Sequence, residues 1–437
     1  MDLKNLENGL LHPPQDLSVL SAEEQFRLIK DKAAAGHSIV SEAALVERLK
    51  ESKSSGKPLK IKFGIDPTGP QIHIGHAVPL INLRRLLRMG HEIHVIIGDF
   101  TAMVGDPGER MDARAPLTSE QVGENMATYA AQASRIIDFS SKHVHLHYNS
   151  AWLGKLSLSK WMAVTKGITV SSLLQRDDFR KRMEGGHSLS LAEFEYVLLM
   201  GYDSVEIKPD IEIGGMDQFL NFHFCRNMME MAGQRPECII TNDLLPGTNG
   251  EKDAEGRLGK MSKSRGNYIA VESPAADMYG KVMSIPDEVM WIWYRELTEI
   301  SSADLDALKK AVEASSVHPK EAKQLLARVV VATFHPNEPG ALENAEKDFN
   351  SRFGKAAQLV PDSVQEVAKT EAKVGELLAG VKKVSMRQAR QVREQNGLQI
   401  LDRSQWLTLS PEQFNALSEL YVGHTFKWGR DYFKIVA

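Results

Sequence analysis

The sequence has few of the features that mark secreted, membrane or disulfide-rich proteins. Its two cysteines, Cys225 and Cys238, are too few for a disulfide framework and lack the partners of a zinc site. No apolar run approaches the roughly 18 residues that a membrane span needs, and residues 1–25 lack the pattern of a signal peptide. We therefore expect a cytoplasmic protein with no membrane partner, and we predict no metal site.

The chain also lacks a basic excess, since its net charge is -4 and its isoelectric point is near 6.4. Dedicated nucleic-acid-binding proteins usually carry surplus positive charge, so any RNA contact must come from a local patch. One such patch, here called the basic cluster, consists of Lys382, Lys383, Arg387, Arg390 and Arg393. On composition alone, a solvated helix face explains it as well as an RNA-binding surface does.

The 437 residues exceed what one hydrophobic core usually supports, so we expect several domains. Residues 41–49 have the pattern of a helix capped by Ser41, residues 320–335 and 340–353 look helical, and residues 361–370 resemble a linker. The predicted domains are an N-terminal extension (1–40), an α/β catalytic domain (41–272), an α-helical domain (273–365) and a small α+β domain (366–437).

The catalytic domain is predicted from a strand, turn, helix, strand order. Residues 59–65 are a strand candidate, residues 66–70 are rich in turn formers, and residues 75–88 have helical spacing. Residues 94–98 are a short apolar run typical of a buried strand. This order is typical of a βαβ unit in a parallel, Rossmann-like sheet. A nucleotide would then bind at the carboxyl end of the first strand.

Two motifs favour chemistry on phosphates. His73 and His76 lie three residues apart at a predicted helix start, where free N–H groups attract phosphate, and Gly75 between them lets a nucleotide approach the backbone. The second motif lies in a glycine-rich stretch that we expect to be a mobile loop. It consists of Lys260, Met261, Ser262, Lys263 and Ser264. Its two lysines could stabilise the charge that builds up as pyrophosphate leaves.

Together and in this order, the two motifs resemble the signatures of class I aminoacyl-tRNA synthetases. A Rossmann dehydrogenase is disfavoured because no Gly-x-Gly-x-x-Gly follows the first strand, and a P-loop NTPase because no Gly-Lys-Ser/Thr is present. An RNA-binding protein on an inactive synthetase scaffold is disfavoured too, because such a scaffold has no need of both motifs.

The residues between the motifs resemble the tyrosyl-tRNA synthetase family, and the similarity runs from about residue 41 to the C-terminus. The matching blocks are residues 64–68, 98–101, 105–107, 196–203 and 214–218. The resemblance implies that Thr68, His73, His76, Lys260 and Lys263 act on the phosphates. It places Gly64, Asp66, Gly75, Asp217, Met261, Ser262 and Ser264 at ATP, with Asp217 at the ribose.

The same resemblance implies an amino-acid pocket formed by Thr101, Asp106, Tyr196, Met200, Asp203 and Gln218. Asp106 and Tyr196 would hold the ammonium group, Gln218 would lie near the carboxylate, and Asp203 would accept a hydrogen bond from the phenol. A buried carboxylate left without that partner is costly, so phenylalanine would be rejected. Without the family, Asp203 reads as an acid at a helix end with a capping or solvated role.

Two positions depart from the family. Met200 stands where a glutamine usually reaches the ammonium group, and Met216 stands where threonine or serine is usual. Both changes replace a hydrogen-bonding group by a bulky apolar one. They leave open a paralogue that activates another or a modified aromatic amino acid, for tRNA or for a different acceptor. Lys62 also stands where some branches use a tyrosine.

The C-terminal part, residues 384–398, resembles the S4-like RNA-binding unit of bacterial tyrosyl enzymes. That resemblance favours a tRNA contact through phosphates for the basic cluster. The family further implies tyrosine or a related aromatic amino acid, ATP with Mg²⁺, and tRNA as ligands, and a homodimer as the assembly.

Overall fold

The computed structural model describes residues 2–34, 39–105, 117–175, 177–253, 255–353, 364–402, 405–429 and 431–437. The chain forms two compact units, Met1–Leu342 and Glu343–Ala437, which are described separately below. The domain boundaries given in the sequence analysis stay predictions. Within the described residues, no helix is both long and apolar enough to cross a membrane.

The first unit is built on a sheet with the strand order β1-β6-β5-β2-β3-β4 in the described part of the chain. Strands β2 to β6 run parallel to their neighbours, and β1 pairs antiparallel with β6. The strands are β1 (Ile39–Val40), β2 (Lys60–Ile65), β3 (Glu92–Ile97), β4 (Val144–Tyr148), β5 (Ile211–Gly215) and β6 (Cys238–Asn242). The predicted α/β class with a parallel sheet is therefore confirmed.

Helices cover the sheet and continue beyond it. Those before β5 are α1 (Leu3–Leu11), α2 (Ala22–Lys32), α3 (Glu42–Ser55), α4 (Ile74–Arg88), α5 (Thr101–Val104), α6 (Ser119–Ala133), α7 (Ser150–Leu153), α8 (Leu158–Thr165), α9 (Val170–Leu173), α10 (Asp177–Glu184) and α11 (Leu191–Ile207). Those after it are α12 (Phe219–Met231), α13 (Ala275–Ser284), α14 (Asp287–Leu297), α15 (Ser302–Glu313) and α16 (Pro319–Phe334). The next helix, α17 (Ala341–Phe353), lies mainly in the second unit. A short 3-10 turn, Met216–Gln218, leads into α12.

Strand β3 is buried along most of its length, as expected for a central strand of a parallel sheet, and α4 is the crossover that connects it to β2. Helices α11 and α12 pack closely, because Gly201 brings the two backbones together. A Cβ atom at Gly201 would lie 2.5 Å from the Met228 sulfur. The resulting core includes Val197, Tyr202 and Met228.

Several local predictions need correction. Ser41 does not cap α3, because its φ of 69° places it in a left-handed turn after β1 and its side chain makes no capping hydrogen bond. Helix α3 continues to Ser55. Asp203 is not at a helix end, since α11 continues past it to Ile207. The polar N-terminal stretch contains α1, and the short strands β1 and β5 were not predicted from the sequence.

The second unit has a sheet with the strand order β7-β11-β10-β8-β9 in its described part. Its strands are β7 (Gln365–Ala368), β8 (Leu398–Asp402), β9 (Gln405–Thr408), β10 (Thr425–Trp428) and β11 (Asp431–Val436), and its helices are α18 (Val374–Lys382), α19 (Met386–Glu394) and α20 (Pro411–Asn415). Part of the predicted linker is thus strand β7, which pairs in parallel with β11 and buries Val367.

Candidate active site

The histidine motif and several polar residues of the predicted pocket follow the carboxyl ends of the parallel strands. β2 leads to the turn before His73, β3 to Thr101, β4 to Asn149, and β5 to Asp217. From β2 the chain adds β3 and β4 on one side, and it adds β5 and β6 on the other side. The direction in which strands are added therefore reverses between β2 and β5. Open α/β sheets bind ligands at such a switch point, so this crevice is the candidate active site.

His73 and His76 form a stacked pair at the start of α4. Their ring centroids are 3.7 Å apart at an interplanar angle of 20°, and the His73 N–H donates to His76 Nδ1 at 3.4 Å. A Cβ atom at Gly75 would lie 3.0 Å from the His73 ring. Gly75 therefore makes room for His73 as well as for the backbone approach predicted from the sequence.

Both imidazoles are neutral at neutral pH. Burial, then the neighbouring His76 and Lys263, lowers the pKa of His73 to about 2. Desolvation within the crevice, together with Lys263 and Lys260, also lowers the pKa of His76, although part of its ring is open to solvent. The pair can therefore donate hydrogen bonds to an anion, while the lysines supply the positive charge.

The lysine motif is connected to the histidine motif through the backbone. The Ile74 N–H donates to the Ile269 carbonyl at 2.9 Å, and the Val271 N–H donates to the Ile72 carbonyl at 2.9 Å. Within the loop, the Ser262 N–H donates to Asn267 Oδ1 at 2.8 Å, and Asn267 is buried. These contacts hold the segment that follows the lysine motif beside the start of α4.

The two lysines point to different parts of the crevice. Lys260 Nζ lies 3.6 Å from Asp217 Oδ2, and both side chains are partly exposed. Lys263 Nζ lies 3.6 Å from where a Cβ of Gly69 would be, so it stands above the turn after β2. The motif therefore extends from the residue predicted to contact the ribose to the turn predicted to contact phosphate.

The remaining residues of the two motifs lie around this phosphate end. Met261 is buried and its N–H donates to the Leu245 carbonyl at 2.8 Å. The hydroxyls of Ser262 and Ser264 are 2.9 Å apart. The Thr68 N–H donates to the Asp66 carbonyl at 2.8 Å, which places Thr68 in the same turn as Gly69.

Asp66 connects the next group of predicted residues. Its carboxylate accepts from the Thr101 hydroxyl at 2.8 Å and from the Tyr196 phenol at 3.0 Å. Gly98 allows this contact, since a Cβ there would lie 1.9 Å from Asp66 Oδ1. A Cβ at Gly64 would meet nothing within 4 Å, so the end of β2 has open space beside it. Asp66 therefore lies with the amino-acid residues, although the resemblance assigned it to ATP.

Asp203 lies at the buried end of the crevice and already has two donors. It accepts from Trp152 Nε1 at 2.8 Å and from Asn149 Nδ2 at 3.2 Å. Asn149 Nδ2 also donates to Thr101 Oγ1 at 3.1 Å, which links Asp203 to the Asp66 group. Burial raises the pKa of Asp203 to about 6, while Lys62 and these donors oppose the increase. Asp203 is thus ionised at neutral pH and can accept a hydroxyl donor.

A buried ionic group supports this end of the sheet. Lys62 Nζ lies 2.6 Å from Glu212 Oε1 and donates to Ser204 Oγ at 2.7 Å. Burial and the charge of Glu212 raise the pKa of the neighbouring Glu237 well above its ordinary value. A protonated Glu237 leaves the Lys62 and Glu212 charges balanced, and Lys62 adds a positive field next to Asp203.

The two unusual methionines differ in environment. Met200 packs against the core cluster that contains Tyr196 and Tyr202, so it lies beside the predicted pocket. The Met216 sulfur instead accepts a hydrogen bond from the Thr241 hydroxyl at 3.7 Å, on strand β6. Gln218 accepts from Asn221 Nδ2 at 2.8 Å. Met200 thus packs beside Tyr196 of the predicted pocket, whereas Met216 contacts strand β6.

Asp106, predicted to hold the ammonium group, lies outside the described residues. Three important residues were absent from the sequence prediction: Asn149, Trp152 and Asn267. Asn149 had a usable signal, because it directly follows a predicted strand at the edge where ligand-binding residues gather. Trp152 and Asn267 had none, since only the folded chain brings them to Asp203 and Ser262.

In the second unit, the basic cluster extends over two helices and the turn between them. Lys382 ends α18, Lys383 lies in a left-handed turn, and the three arginines lie on α19. Lys382 forms an ion pair with Asp431, and the Arg393 guanidinium lies 5.6 Å from the centroid of the Phe414 ring. The exposed members are Lys383, Arg387 and Arg390.

Comparisons with known proteins agree with this geometry. The family model described as tRNA synthetases class I (W and Y) matches residues 53–354. A tyrosine-tRNA ligase of Geobacter metallireducens is 40% identical over 362 residues, which is 82% of this chain and 86% of the relative. One of Haemophilus influenzae is 44% identical over 328 residues, covering 75% of this chain and 77% of the relative. The chain belongs to the tyrosine-tRNA ligase family of class I aminoacyl-tRNA synthetases.

Solved structures show the same fold. A truncated mitochondrial tyrosyl-tRNA synthetase of Aspergillus nidulans superposes with a TM-score of 0.61 at 20% identity, over 76% of this chain and 94% of that one. The enzyme of Archaeoglobus fulgidus, solved with L-tyrosine, gives a TM-score of 0.56 at 19% identity, over 75% and 99% of the two chains. The predictions of a class I synthetase fold and of the tyrosyl family are confirmed, and membership makes the chain an ATP-using ligase.

Proposed function

We propose that the chain activates tyrosine with ATP and transfers the tyrosyl group to the 3' end of tRNA(Tyr). The observation that supports this most is the arrangement of one crevice. Neutral histidines and two lysines lie at one end, and the buried carboxylate of Asp203 lies at the other. The first set suits a triphosphate, and the second suits a hydroxyl group at the end of an amino-acid side chain.

In the proposed first step, a tyrosine carboxylate oxygen attacks the α-phosphorus of ATP, and pyrophosphate leaves with the electrons of the broken P–O bond. His73 and His76 donate hydrogen bonds to the phosphate oxygens beside the α4 N-terminus. Lys260 and Lys263 neutralise the charge that develops on the leaving group. Mg²⁺ would travel with ATP, bound mainly by phosphate oxygens and water, and no protein ligand is assigned to it.

In the proposed second step, a hydroxyl of the terminal adenosine of tRNA attacks the tyrosyl carbonyl. The bond between that carbonyl carbon and the phosphate oxygen breaks, AMP leaves with its electrons, and the hydroxyl proton is released. Tyrosine stays in place because Asp203 accepts a hydrogen bond from its phenol hydroxyl. Asp66 and Tyr196, 3.0 Å apart, form the polar group suited to its ammonium. We assign Asp66 this role rather than an ATP contact because its carboxylate bonds to Thr101 and Tyr196. Asp106 stays a candidate for the same role.

The test of amino-acid identity is exchange of pyrophosphate into ATP, measured with each standard amino acid and several ring-modified tyrosines. Strong exchange with tyrosine alone supports the proposal. Weak exchange with tyrosine and strong exchange with another aromatic acid would instead identify a paralogue, as Met200 beside the pocket suggests. Lys263→Ala should abolish most of the exchange, and Arg257→Ala, a change at an exposed cation of the same segment, should not.

We also propose that Lys383, Arg387 and Arg390 contact tRNA phosphates in an S4-like unit. Their exposure supports this, while Lys382 and Arg393 are engaged by Asp431 and Phe414. Replacing Arg387 and Arg390 together by alanine should weaken tRNA binding and lower its salt dependence by about two ions, while amino-acid exchange stays unchanged. The matched control is Lys434→Ala, an exposed cation elsewhere in the unit. Equal tRNA affinity in both variants would contradict the proposal.

Assembly and location are proposals as well. A homodimer is supported by exposed apolar side chains on neighbouring segments, namely Leu158, Met162, Val170 and Leu191. Analytical ultracentrifugation of the full chain tests it, and a monomer at micromolar concentration would contradict it. A cytoplasmic location is supported by the reaction itself, because aminoacylated tRNA is consumed by ribosomes there.

A further inference from the structure

A polar group outside the crevice lies on one face of strands β3 and β4. Here called the histidine face, it consists of Glu92, His94, His145 and His147. In the parallel register, His94 is opposite His145. Glu92 and His147 each lie two residues from one of these, and side chains two apart on a strand point to the same side. The four side chains therefore share one face of the sheet.

Their potential ligand atoms are close together. One atom each of Glu92, His94 and His145 lies within 4.8 Å of the other two. The ring centroids of His94 and His145 are 4.7 Å apart. Two imidazole nitrogens and a carboxylate oxygen at this spacing can be brought to the separations of a tetrahedral site by small side-chain rotations.

One ring nitrogen of His94 has a neighbour within hydrogen-bond distance, and the other lacks a hydrogen-bond partner among the described residues. Its Nδ1 is 3.0 Å from His147 Nε2, which satisfies one side of the ring. Its Nε2 is buried and has no hydrogen-bond partner among the described residues, although Glu92 Oε2 lies 3.8 Å away. That separation is too long for a hydrogen bond but leaves space for an ion that both atoms could bind.

We propose that Glu92, His94 and His145 bind a zinc ion, with His147 as the positioning residue that orients the His94 ring. Two histidines and a glutamate are an established zinc ligand set, and a metal-binding histidine usually bonds through its second ring nitrogen to a neighbour. Water completes the coordination. Other late first-row divalent ions would also bind these ligands. We name zinc because this ligand set with water suits its tetrahedral coordination.

The location gives the ion an entry path and a structural role. Glu92, His145 and His147 are only partly buried, and β4 is the edge strand of its sheet. The ion therefore fastens the edge strand to β3. Strand β4 leads directly to Asn149 and Trp152, so the same ion steadies the residues that bond to Asp203. The site does not depend on the proposed reaction.

The test uses the full chain without a histidine tag, stripped with a chelator and then titrated with Zn²⁺ by calorimetry. We expect one ion per chain, and a thermal unfolding temperature that rises when zinc is added. Co²⁺ in its place should give the visible absorption of a four-coordinate site. His145→Ala should remove binding, and His147→Ala should weaken it by about 10- to 100-fold.

Two control variants test whether zinc binds at histidines outside the histidine face. His12→Ala removes an exposed histidine that is distant in sequence from the histidine face, and His76→Asn disrupts the stacked pair of His73 and His76. Both should bind zinc as the wild type does. If His145→Ala does not fold, Glu92→Gln serves instead, because that side chain is 29% exposed and keeps its shape. No bound zinc in the wild type, unchanged affinity in the His145 or Glu92 variant, or loss of binding in His76→Asn would overturn the proposal.

Discussion

At the phosphate end of the crevice the cationic groups stand on a partly exposed loop, whereas at the amino-acid end the polar groups are buried and already bonded to one another. Lys260 is 44% exposed, while Asp203 is 5% exposed and accepts from Trp152 and Asn149. Such a loop can adjust to a substrate whose charge is redistributed during the reaction. A rigid buried network instead discriminates between substrates by whether they complete its hydrogen bonds. We infer that rate and selectivity are controlled by different ends.

The largest effect is expected at the phosphate end. Lys263→Ala removes a cation that stands over the turn at Gly69 and close enough to lower the pKa of both histidines. The rate of tyrosine activation should fall by about 100- to 1,000-fold, as for the loss of one group that stabilises a transition state. Pre-steady-state measurement of adenylate formation checks this. A variant that retains the wild-type rate would show that Lys263 has no part in the step.

The pH profile should separate the two ends. Burial raises the pKa of Asp203 to about 6, so its carboxylate becomes protonated as the pH falls through that value. The kcat/KM for tyrosine should then fall by about tenfold per pH unit below the pKa. On the alkaline side, burial lowers the pKa of Lys263, so activity should decline earlier than for an ordinary lysine.

Variants assign the two limbs of this profile. Asp203→Asn should remove the acid limb and Lys263→Ala the alkaline limb. His76→Asn should leave the acid limb in place, because His76 is already neutral there. If the acid limb is lost in His76→Asn, the ionisation belongs to a group at the phosphate end. The assignment of the acid limb to Asp203 would then be wrong.

A smaller effect is expected from Trp152→Phe, which keeps an aromatic ring but removes the N–H that donates to Asp203. Loss of this donor should raise the pKa of Asp203 further and shift the acid limb upward. At neutral pH the kcat/KM for tyrosine should fall by about tenfold, as for the loss of one hydrogen bond to a charged group. The control Trp291→Phe lies on α14 and should change neither quantity. An unshifted acid limb in Trp152→Phe would remove Trp152 from the recognition network.

The parallel sheet and most of its long helices could be predicted from the sequence because their signals are local. The strand pattern before Asp66 and the helical spacing of α4 are examples. The phosphate end was accessible for the same reason, since its residues lie in two short motifs. The network around Asp203 was not, because Asn149 and Trp152 lie more than fifty residues earlier in the chain. Its contacts depend on how the fold brings α11 to the residues that follow β4, which no local pattern records.

Other differences between the sequence analysis and the structure have causes of the same kind. The resemblance assigned Asp66 to ATP, and only the folded chain shows that its carboxylate bonds to Thr101 and Tyr196. Residues 365–368 looked like part of a linker because the segment is polar and has little periodicity. They form an edge strand that buries only Val367, so the apolar signal in the sequence is weak. The histidine face is spread over two strands, so its residues become neighbours only through the register of the sheet.

The most direct test of the central claim is the ratio of kcat/KM for tyrosine to that for phenylalanine, measured by pyrophosphate exchange in Lys263→Ala and Asp203→Asn. If rate and selectivity belong to different ends, Lys263→Ala lowers both values and leaves the ratio at its wild-type level. Asp203→Asn should reduce the ratio by about 100-fold, because the buried acceptor that phenylalanine leaves unpaired is no longer charged. A ratio that changes in Lys263→Ala, or stays unchanged in Asp203→Asn, would contradict the account.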